Sequence, residues 1–416
     1  MSHEHELYPM LSVEGALDKV LAMFHPLEAE RVPILDALGR VLAEDVCSDI
    51  DIPPHDNTAM DGYAIRAADV AAATPDRPVR LRIVENLAAG YVSQRAVEPG
   101  TAIRIMTGAP IPPAADAIVR FEDTRQVGEW VELFGAVQVG ENIRRAGEDV
   151  QRGERVLVAG SLVRPQEVGM LAALGRTTVQ VIRRPRVAIL ATGDELVEPG
   201  EPLEAGKIRN SNGYSNAAQV SLYGGIPIML GIARDSEHDL TAKIRAGLEQ
   251  GVDLFLTSGG VSVGDFDMVK RVLAAEGEMT FWRVRMKPGK PLAFGMLKTA
   301  EGRVVPMLGM PGNPVSVMVS FEIFARPAIL KMQGRTDLLR PTVEAVLMDE
   351  IPSKDGRRHY VRVRVEQAQG VYRAYLTGEQ GSGILSSLVK ANGLAIIPEA
   401  WPNAPAGARV QVMLLD

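Results

Sequence analysis

The sequence predicts a multidomain chain of α/β plus β class. A three-layer α/β domain with a mostly parallel sheet follows a β-rich module and precedes a C-terminal β domain, β-barrel-like or a sandwich. Three observations predict this. Across 186–333, apolar runs alternate with helical stretches, the pattern of a parallel sheet covered on both faces. From about 61 to 145, short β-like runs are separated by Pro and Gly. Beyond 341, Tyr360-Val-Arg-Val-Arg-Val365 alternates with period two. A length of 416 residues fits roughly two to four domains.

The elements follow in order. Residues 11–50 read as helical: Leu17, Val20, Leu21 and Phe24 recur at helical spacing, as do Val32, Leu35, Leu38 and Val41. Ser12 is the expected N-cap. Residues 51–60 form a Pro/Asn-rich loop. The β module holds strands at Arg80–Val84, Thr101–Ile105, Ala117–Arg120 and Trp130–Phe134. A strand at Arg155–Val158 precedes a helix at Pro165–Leu174, which Gly175 ends, and Val179–Ile182 returns to strand. The α/β domain has strands at Val187–Ala191, Ile226–Ile232, Val252–Leu256 and Val304–Leu308. Its helices are Asn212–Tyr223, Leu240–Gln250, Phe266–Glu276 and Pro314–Met332, the last capped by Asn313 and ended by Gly334. Strands at Val371–Leu376, Leu394–Ile397 and Val410–Leu414 complete the C-terminal domain.

Composition removes several function classes. Lys and Arg total 45 against 52 Asp and Glu, a net charge of −7, which disfavours nucleic acid and anionic membranes as partners. The single cysteine, Cys47, forms no internal disulfide or metal-binding pair and fits a cytoplasmic setting. No His-Glu-x-x-His occurs. The uncharged stretch Val304–Phe321 contains Pro306, Pro311, Gly312 and Pro314, so it is no membrane-spanning helix.

In open parallel sheets, ligands sit at the carboxyl ends of strands. The turn Ser258-Gly259-Gly260-Val261-Ser262-Val263-Gly264-Asp265 follows one such end. It suits a phosphate cradled by backbone N–H groups, with a tight strand-to-helix turn as the alternative. It is neither a Walker A loop nor Gly-x-Gly-x-x-Gly. Asp194, Glu195, Asp235, Asp265 and Asp267 crowd the same edge. Carboxylates beside a phosphate call for a divalent cation such as Mg²⁺, although each is also a plausible helix cap. Lys287 and Lys290, three apart in a Pro/Gly-stiffened turn, suit a small oxyanion or a solvated loop. Arg357 or Arg358 can clamp an oxyanion, and Ser382 can donate from the Gly378–Gly383 turn.

Eight islands together resemble the molybdopterin molybdenumtransferase (MoeA) family, to which gephyrin E-domains are related. They are Asn57-Thr-Ala-Met-Asp-Gly-Tyr-Ala64, Ile105-Met-Thr-Gly-Ala109, Gly147-Glu-Asp-Val150, Thr192-Gly-Asp-Glu-Leu196, Thr257–Asp267, Met286-Lys-Pro-Gly-Lys-Pro291, Met310-Pro-Gly-Asn-Pro314 and Gly381-Ser-Gly383. They occur in family order over nearly the whole chain. Asn210, Met310 and Pro113-Ala-Ala-Asp116 depart from the family pattern.

The resemblance implies insertion of molybdenum from molybdate into adenylylated molybdopterin, with release of AMP, as a step of molybdenum-cofactor biosynthesis. It implies a molybdate pocket of Lys287, Lys290, Pro291, Arg357 and Ser382. Ser258, Gly259, Gly260, Ser262 and Gly264 fall at the nucleotide or pterin phosphate. Glu195, Asp235 and Asp267 are the positions for Mg²⁺, and Asp61, Thr107 and Asp149 are functional too. A homodimer with composite sites, and contact with other cofactor-assembly proteins, are also implied. So is a discontinuous division: an α/β domain over 10–31 and 180–333, a linker domain over 32–55 and 146–179, a β module over 56–145 and a C-terminal domain over 334–416. Two rival functions are a molybdopterin adenylyltransferase and a non-catalytic scaffold of the gephyrin type. The extra β modules argue against the first, and the joint presence of Asp61, Thr107, Glu195, Asp267, Lys287 and Lys290 against the second.

Overall fold

The computed structural model describes residues 10–259 and 277–415. The chain divides into two compact units. One comprises Met1–Ala43, Leu162–Arg164 and Thr178–Asp416, the other Glu44–Ser161 and Pro165–Thr177.

The first unit is built on a seven-stranded sheet. Its order is Met10–Leu11, Gly277–Val284, Pro291–Lys298, Val304–Met310, Leu254–Ser258, Arg186–Thr192 and Ile226–Ala233. Only Pro291–Lys298 runs against its neighbours; the other pairings are parallel, as expected. Alternate side chains feed two cores. Val187, Ile189, Leu254, Leu256 and Leu308 face the helices Val13–Leu21, Ser211–Leu222 and the run from Pro314. Ala188, Leu190, Phe255, Val305 and Met307 face the helix Glu237–Glu249. This is why the strands read as unbroken apolar runs.

Ser12 caps the first helix as expected, its Oγ accepting from the Gly15 N–H at 3.1 Å. The expectation of helix across 11–50 is otherwise wrong. Ala29–Pro33 is a strand pairing antiparallel with Thr178–Ile182, followed by turns. Leu35 and Leu38 are 75% and 50% exposed, so their helical spacing buries nothing. Among the strands outside the expected set are Met10–Leu11, Gly277–Val284, Pro291–Lys298 and Thr342–Leu347. The expected helix Phe266–Glu276 lies outside the described residues.

The helical run from Pro314 to Met332 is α-helical over Pro314–Ser320, widens to a π turn over Phe321–Ala325, and resumes over Arg326–Met332. Pro327 has no N–H for the Ile323 carbonyl, and the widened turn lies just before it. Asn313 occupies the N-cap through its backbone, without a side-chain bond. In the C-terminal region Arg358–Ala368, Val371–Leu376, Thr342–Leu347, Arg409–Leu414 and Gly393–Ile397 pair in that order. The last returns to the first, closing a five-stranded barrel.

The second unit holds a six-stranded sheet ordered Ala117–Arg120, Gly62–Ile65, Thr101–Ile105, Val79–Leu87, Trp130–Leu133 and Thr124–Val127. Tyr63 and Ile65 enter one core, and Ala64, Ile103 and Ile118 the other. Gly62 has no room for a side chain: a Cβ there would run into the Val119 carbonyl, 2.8 Å from its carbon. Gly62→Ala is expected to cost about 1–3 kcal/mol. Urea unfolding reads it, and an unchanged midpoint would contradict the close approach.

Candidate active site at the strand ends

The Lys287–Lys290 turn is held from three sides. Met286–Lys287 pairs in parallel with Arg358 and His359 of the barrel. The Val284 N–H donates to the Lys290 carbonyl at 2.7 Å. Gly289, at φ +102°, lies where a Cβ would come 2.7 Å from Ser320 Oγ, so a side chain is excluded. The turn is thereby fixed to the helix that starts at Pro314.

Asp355 organises the charges around it. Its Oδ2 accepts from Arg357 Nη2 at 2.6 Å and lies 3.4 Å from Lys287 Nζ. Its Oδ1 lies 2.8 Å from Nε2 of the buried His359. Burial works to raise the Asp355 pKa, but hydrogen bonds from Arg357 and His359 hold it well below the usual carboxylate range. A depressed pKa contributes stability above the unfolded value of about 3.9 and loses it as pH falls through the folded value. Asp355→Asn should therefore lower the urea midpoint at pH 7, with a deficit that shrinks as pH falls below about 4. A deficit that stays constant into acid would contradict this.

Lys290 is different. It has no carboxylate partner among the described residues. Burial, then the charges of Arg283 and Arg357, lower its pKa. An ammonium whose charge two guanidiniums disfavour, with no carboxylate partner among the described residues, is chemically suited to an anion.

Ser382 sits in a turn tied to the same helix, its carbonyl accepting from the Val315 N–H at 3.0 Å. Val315 and Ser320 are about 7.5 Å apart along a helix axis, so both arms of the proposed pocket rest on one short helix. The turn is organised by Arg362, which is 1% exposed. Arg362 donates to the Gly381 carbonyl at 3.0 Å, the Glu379 carbonyl at 3.3 Å and Ser387 Oγ at 2.9 Å. It has no carboxylate partner among the described residues, and burial lowers its pKa. Sequence reasoning missed it. In a period-two strand Arg362 and Arg364 share a face, yet only Arg364 is exposed.

The turns after three parallel strands meet at the carboxyl edge of the sheet. A Cβ on Gly259, at φ +89°, would lie 2.6 Å from the Thr192 carbonyl oxygen. A Cβ on Gly312 would lie 3.7 Å from Gly259 Cα, and Asn212 Nδ2 donates to the Gly312 carbonyl at 2.7 Å. Ser258 is buried here. Gly260, Ser262, Gly264, Asp265 and Asp267 lie outside the described residues.

Beside this edge, Asp194 and Asp235 bond reciprocally: each backbone N–H donates to the other's carboxylate at 3.2 Å. Glu195 folds its carboxylate against Gly193, where a Cβ would collide with it. Glu195 and Asp235 are both exposed. No group of three potential metal ligands converges among the described residues. Two exposed carboxylates nonetheless match what Mg²⁺ takes from protein when phosphate oxygens and water complete its shell.

In the second unit, the Thr107 backbone N–H and hydroxyl both donate to Asp61 Oδ1, at 2.7 Å each. These bonds hold the Asp61 carboxyl below its usual pKa, with help from the Arg104 charge. Asp149 is exposed; its backbone N–H donates to the Ile52 carbonyl at 3.0 Å, and its side chain has no bond among the described residues. The structure thus joins Asp61 to Thr107, but not to Asp149.

An α/β sheet with glycine turns, carboxylates and an open cationic niche at one end, followed by a barrel, defines a protein built to hold anionic ligands. The MoeA N-terminal region (domain I and II) matches residues 11–175, the probable molybdopterin binding domain 188–331, and the MoeA C-terminal region (domain IV) 344–415. A molybdopterin molybdenumtransferase 2 of Mycobacterium tuberculosis is 38% identical over 97% of this chain and 99% of its own. The molybdopterin molybdenumtransferase of Bacillus subtilis is 36% identical over 97% and 94%. The crystal structure of a molybdopterin biosynthesis MoeA protein from Pyrococcus horikoshii superposes with a TM-score of 0.82 at 31% identity, covering 98% of this chain and 100% of that one. The chain belongs to the MoeA family.

Proposed function

We propose that this chain is a molybdopterin molybdenumtransferase, which inserts molybdenum from molybdate into adenylylated molybdopterin and releases AMP. The observation that carries the reading is Lys290, an ammonium beside Arg283 and Arg357 with no carboxylate of its own among the described residues. Molybdate, a tetrahedral dianion, meets the charge and size of that niche. Lys287 and Arg357 are steadied by Asp355, Pro291 starts the strand that follows, and Arg362 holds the Ser382 turn in place.

Ser258 and Gly259, at the end of a parallel strand, would take a phosphate. Glu195 and Asp235 would hold Mg²⁺, which when bound offsets the charge of the phosphoanhydride. Asp61 and Thr107, already bonded to one another, form a separate polar pair for the substrate. In this reading the enzyme is a homodimer with composite sites and works in the cytoplasm beside other cofactor-assembly proteins. No helix among the described residues is long and apolar enough to cross a membrane.

The test follows AMP when purified protein meets adenylylated molybdopterin, Mg²⁺ and molybdate. Molybdate-dependent AMP release is expected. Its absence, with adenylylated product formed instead from molybdopterin and ATP, would favour an adenylyltransferase.

A further inference from the structure

We propose that Arg104 is a substrate-binding residue whose guanidinium, fixed beside the Asp61–Thr107 pair, takes a phosphoryl oxygen of the nucleotide-activated substrate. The inference rests on the reaction proposed above. The six strands of the second unit's sheet carry five arginines: Arg80, Arg82, Arg104, Arg120 and Arg125. Four are paired with carboxylates: Arg80 and Arg125 with Glu132, Arg82 with Glu129 and Arg120 with Asp123. Arg104 alone has no carboxylate within ion-pair distance among the described residues.

Its position is nonetheless fixed. Arg104 stands opposite Tyr63 in the strand register, on the face that also carries Val119. Its guanidinium carbon lies 4.7 Å from the Phe121 ring centre. Tyr63 braces that ring edge-on at 5.2 Å, and the Tyr63 hydroxyl donates to Gln126 Oε1 at 2.9 Å. Asp61 immediately precedes the strand that carries Tyr63, and its backbone carbonyl accepts from the Phe121 N–H at 3.2 Å. The cation is therefore held partly buried on an aromatic shelf, near enough for its charge to lower the Asp61 pKa.

That pairing has a chemical use. A phosphoryl group approaching Asp61 meets like charge. A neighbouring guanidinium that no acid occupies offsets the repulsion and offers parallel N–H donors to two oxygens. Lysine supplies charge without the fork, and methionine supplies neither.

The test compares Arg104→Lys and Arg104→Met in the full chain. Arg104→Met should raise KM for adenylylated molybdopterin roughly ten- to a hundredfold, leaving KM for molybdate and the urea midpoint near wild type. Arg104→Lys should recover part of the loss. An unchanged KM for the nucleotide substrate in Arg104→Met overturns the assignment. So does a parallel rise in both KM values with a lowered midpoint, which marks a structural role. Calorimetric titration with AMP alone reads the same contact independently of turnover. If wild type releases no AMP from the full substrate, the reaction fails, while weakened AMP binding in Arg104→Met still upholds the contact and unweakened binding removes it.

Discussion

Lys290→Ala should weaken molybdate use more than Lys287→Ala, by about 2–5 kcal/mol in apparent binding. The two lysines are three residues apart in one turn, yet their surroundings differ. Lys287 is half-exposed and already shares Asp355 with Arg357 and His359. Removing it leaves that carboxylate with two partners and the niche with much of its charge. Lys290 has no such partner among the described residues and stands against Arg283 and Arg357, which disfavour its charge until an anion arrives. On the proposed reading its charge serves the ligand alone, and alanine deletes that contribution outright. KM for molybdate in the AMP-release assay reads the effect. Equal losses in the two variants, or a larger one in Lys287→Ala, would contradict the division of roles.

Glu322→Ala should destabilise the first unit by about 3–5 kcal/mol. Glu322 lies in the π turn, and its side chain and that of Arg340 are only 8% and 9% exposed. It accepts from Arg340 Nε at 2.8 Å, the Tyr223 hydroxyl at 2.8 Å and Gln219 Nε2 at 3.1 Å. Arg340 also donates to the Tyr223 hydroxyl and, at 2.9 Å, to the Leu414 carbonyl, so the group joins two helices to the last barrel strand. Burial and the neighbouring Glu322 push the Tyr223 pKa up to about 12. Alanine at 322 leaves a guanidinium buried without its anion, the costly half of such a pair. The double variant Glu322→Ala/Arg340→Met should recover part of the loss, because it removes the stranded charge. The pair Arg335–Asp337, whose carboxylate is exposed, is the control: Asp337→Ala should cost no more than about 1 kcal/mol. Urea midpoints that rank these variants otherwise would contradict the account.

How much of this was legible in the sequence depends on which signal each element carries. Strands buried on both faces announce themselves as apolar runs, and Arg186–Thr192 and Leu254–Ser258 fall within a residue or two of expectation. Four of the five barrel strands were legible, Tyr360–Val365 most clearly from its alternation, while Thr342–Leu347 was not expected. Periodicity failed at 29–41 because the apolar spacing there is not buried as a helix face; a partner strand far along the chain takes residues 29–33 instead.

The site divides the same way. The lysines and the glycine of the Lys287–Lys290 turn are local, so spacing alone marked the turn as suited to an oxyanion or to solvent, and only the family resemblance chose between them. Asp355, which gathers Lys287, Arg357 and His359, could not be read from spacing, because it acts across the pairing of Met286–Lys287 with Arg358–His359. Arg362 was hidden by a strand pattern that also fits an outward-facing residue. Arg104 was hidden because only the fold reveals which arginines already have acids.

The central claim is a niche for a tetrahedral oxyanion built from Lys287, Lys290 and Arg357, with the Ser382 turn held against the same helix. Anomalous diffraction from a crystal soaked with molybdate, recorded at the molybdenum absorption edge, tests it most directly. The account predicts a molybdenum peak within hydrogen-bonding reach of the Lys290 ammonium, lost in Lys290→Ala crystals soaked alike. A peak confined to the Glu195–Asp235 edge, or one that persists unchanged without the Lys290 side chain, would contradict it.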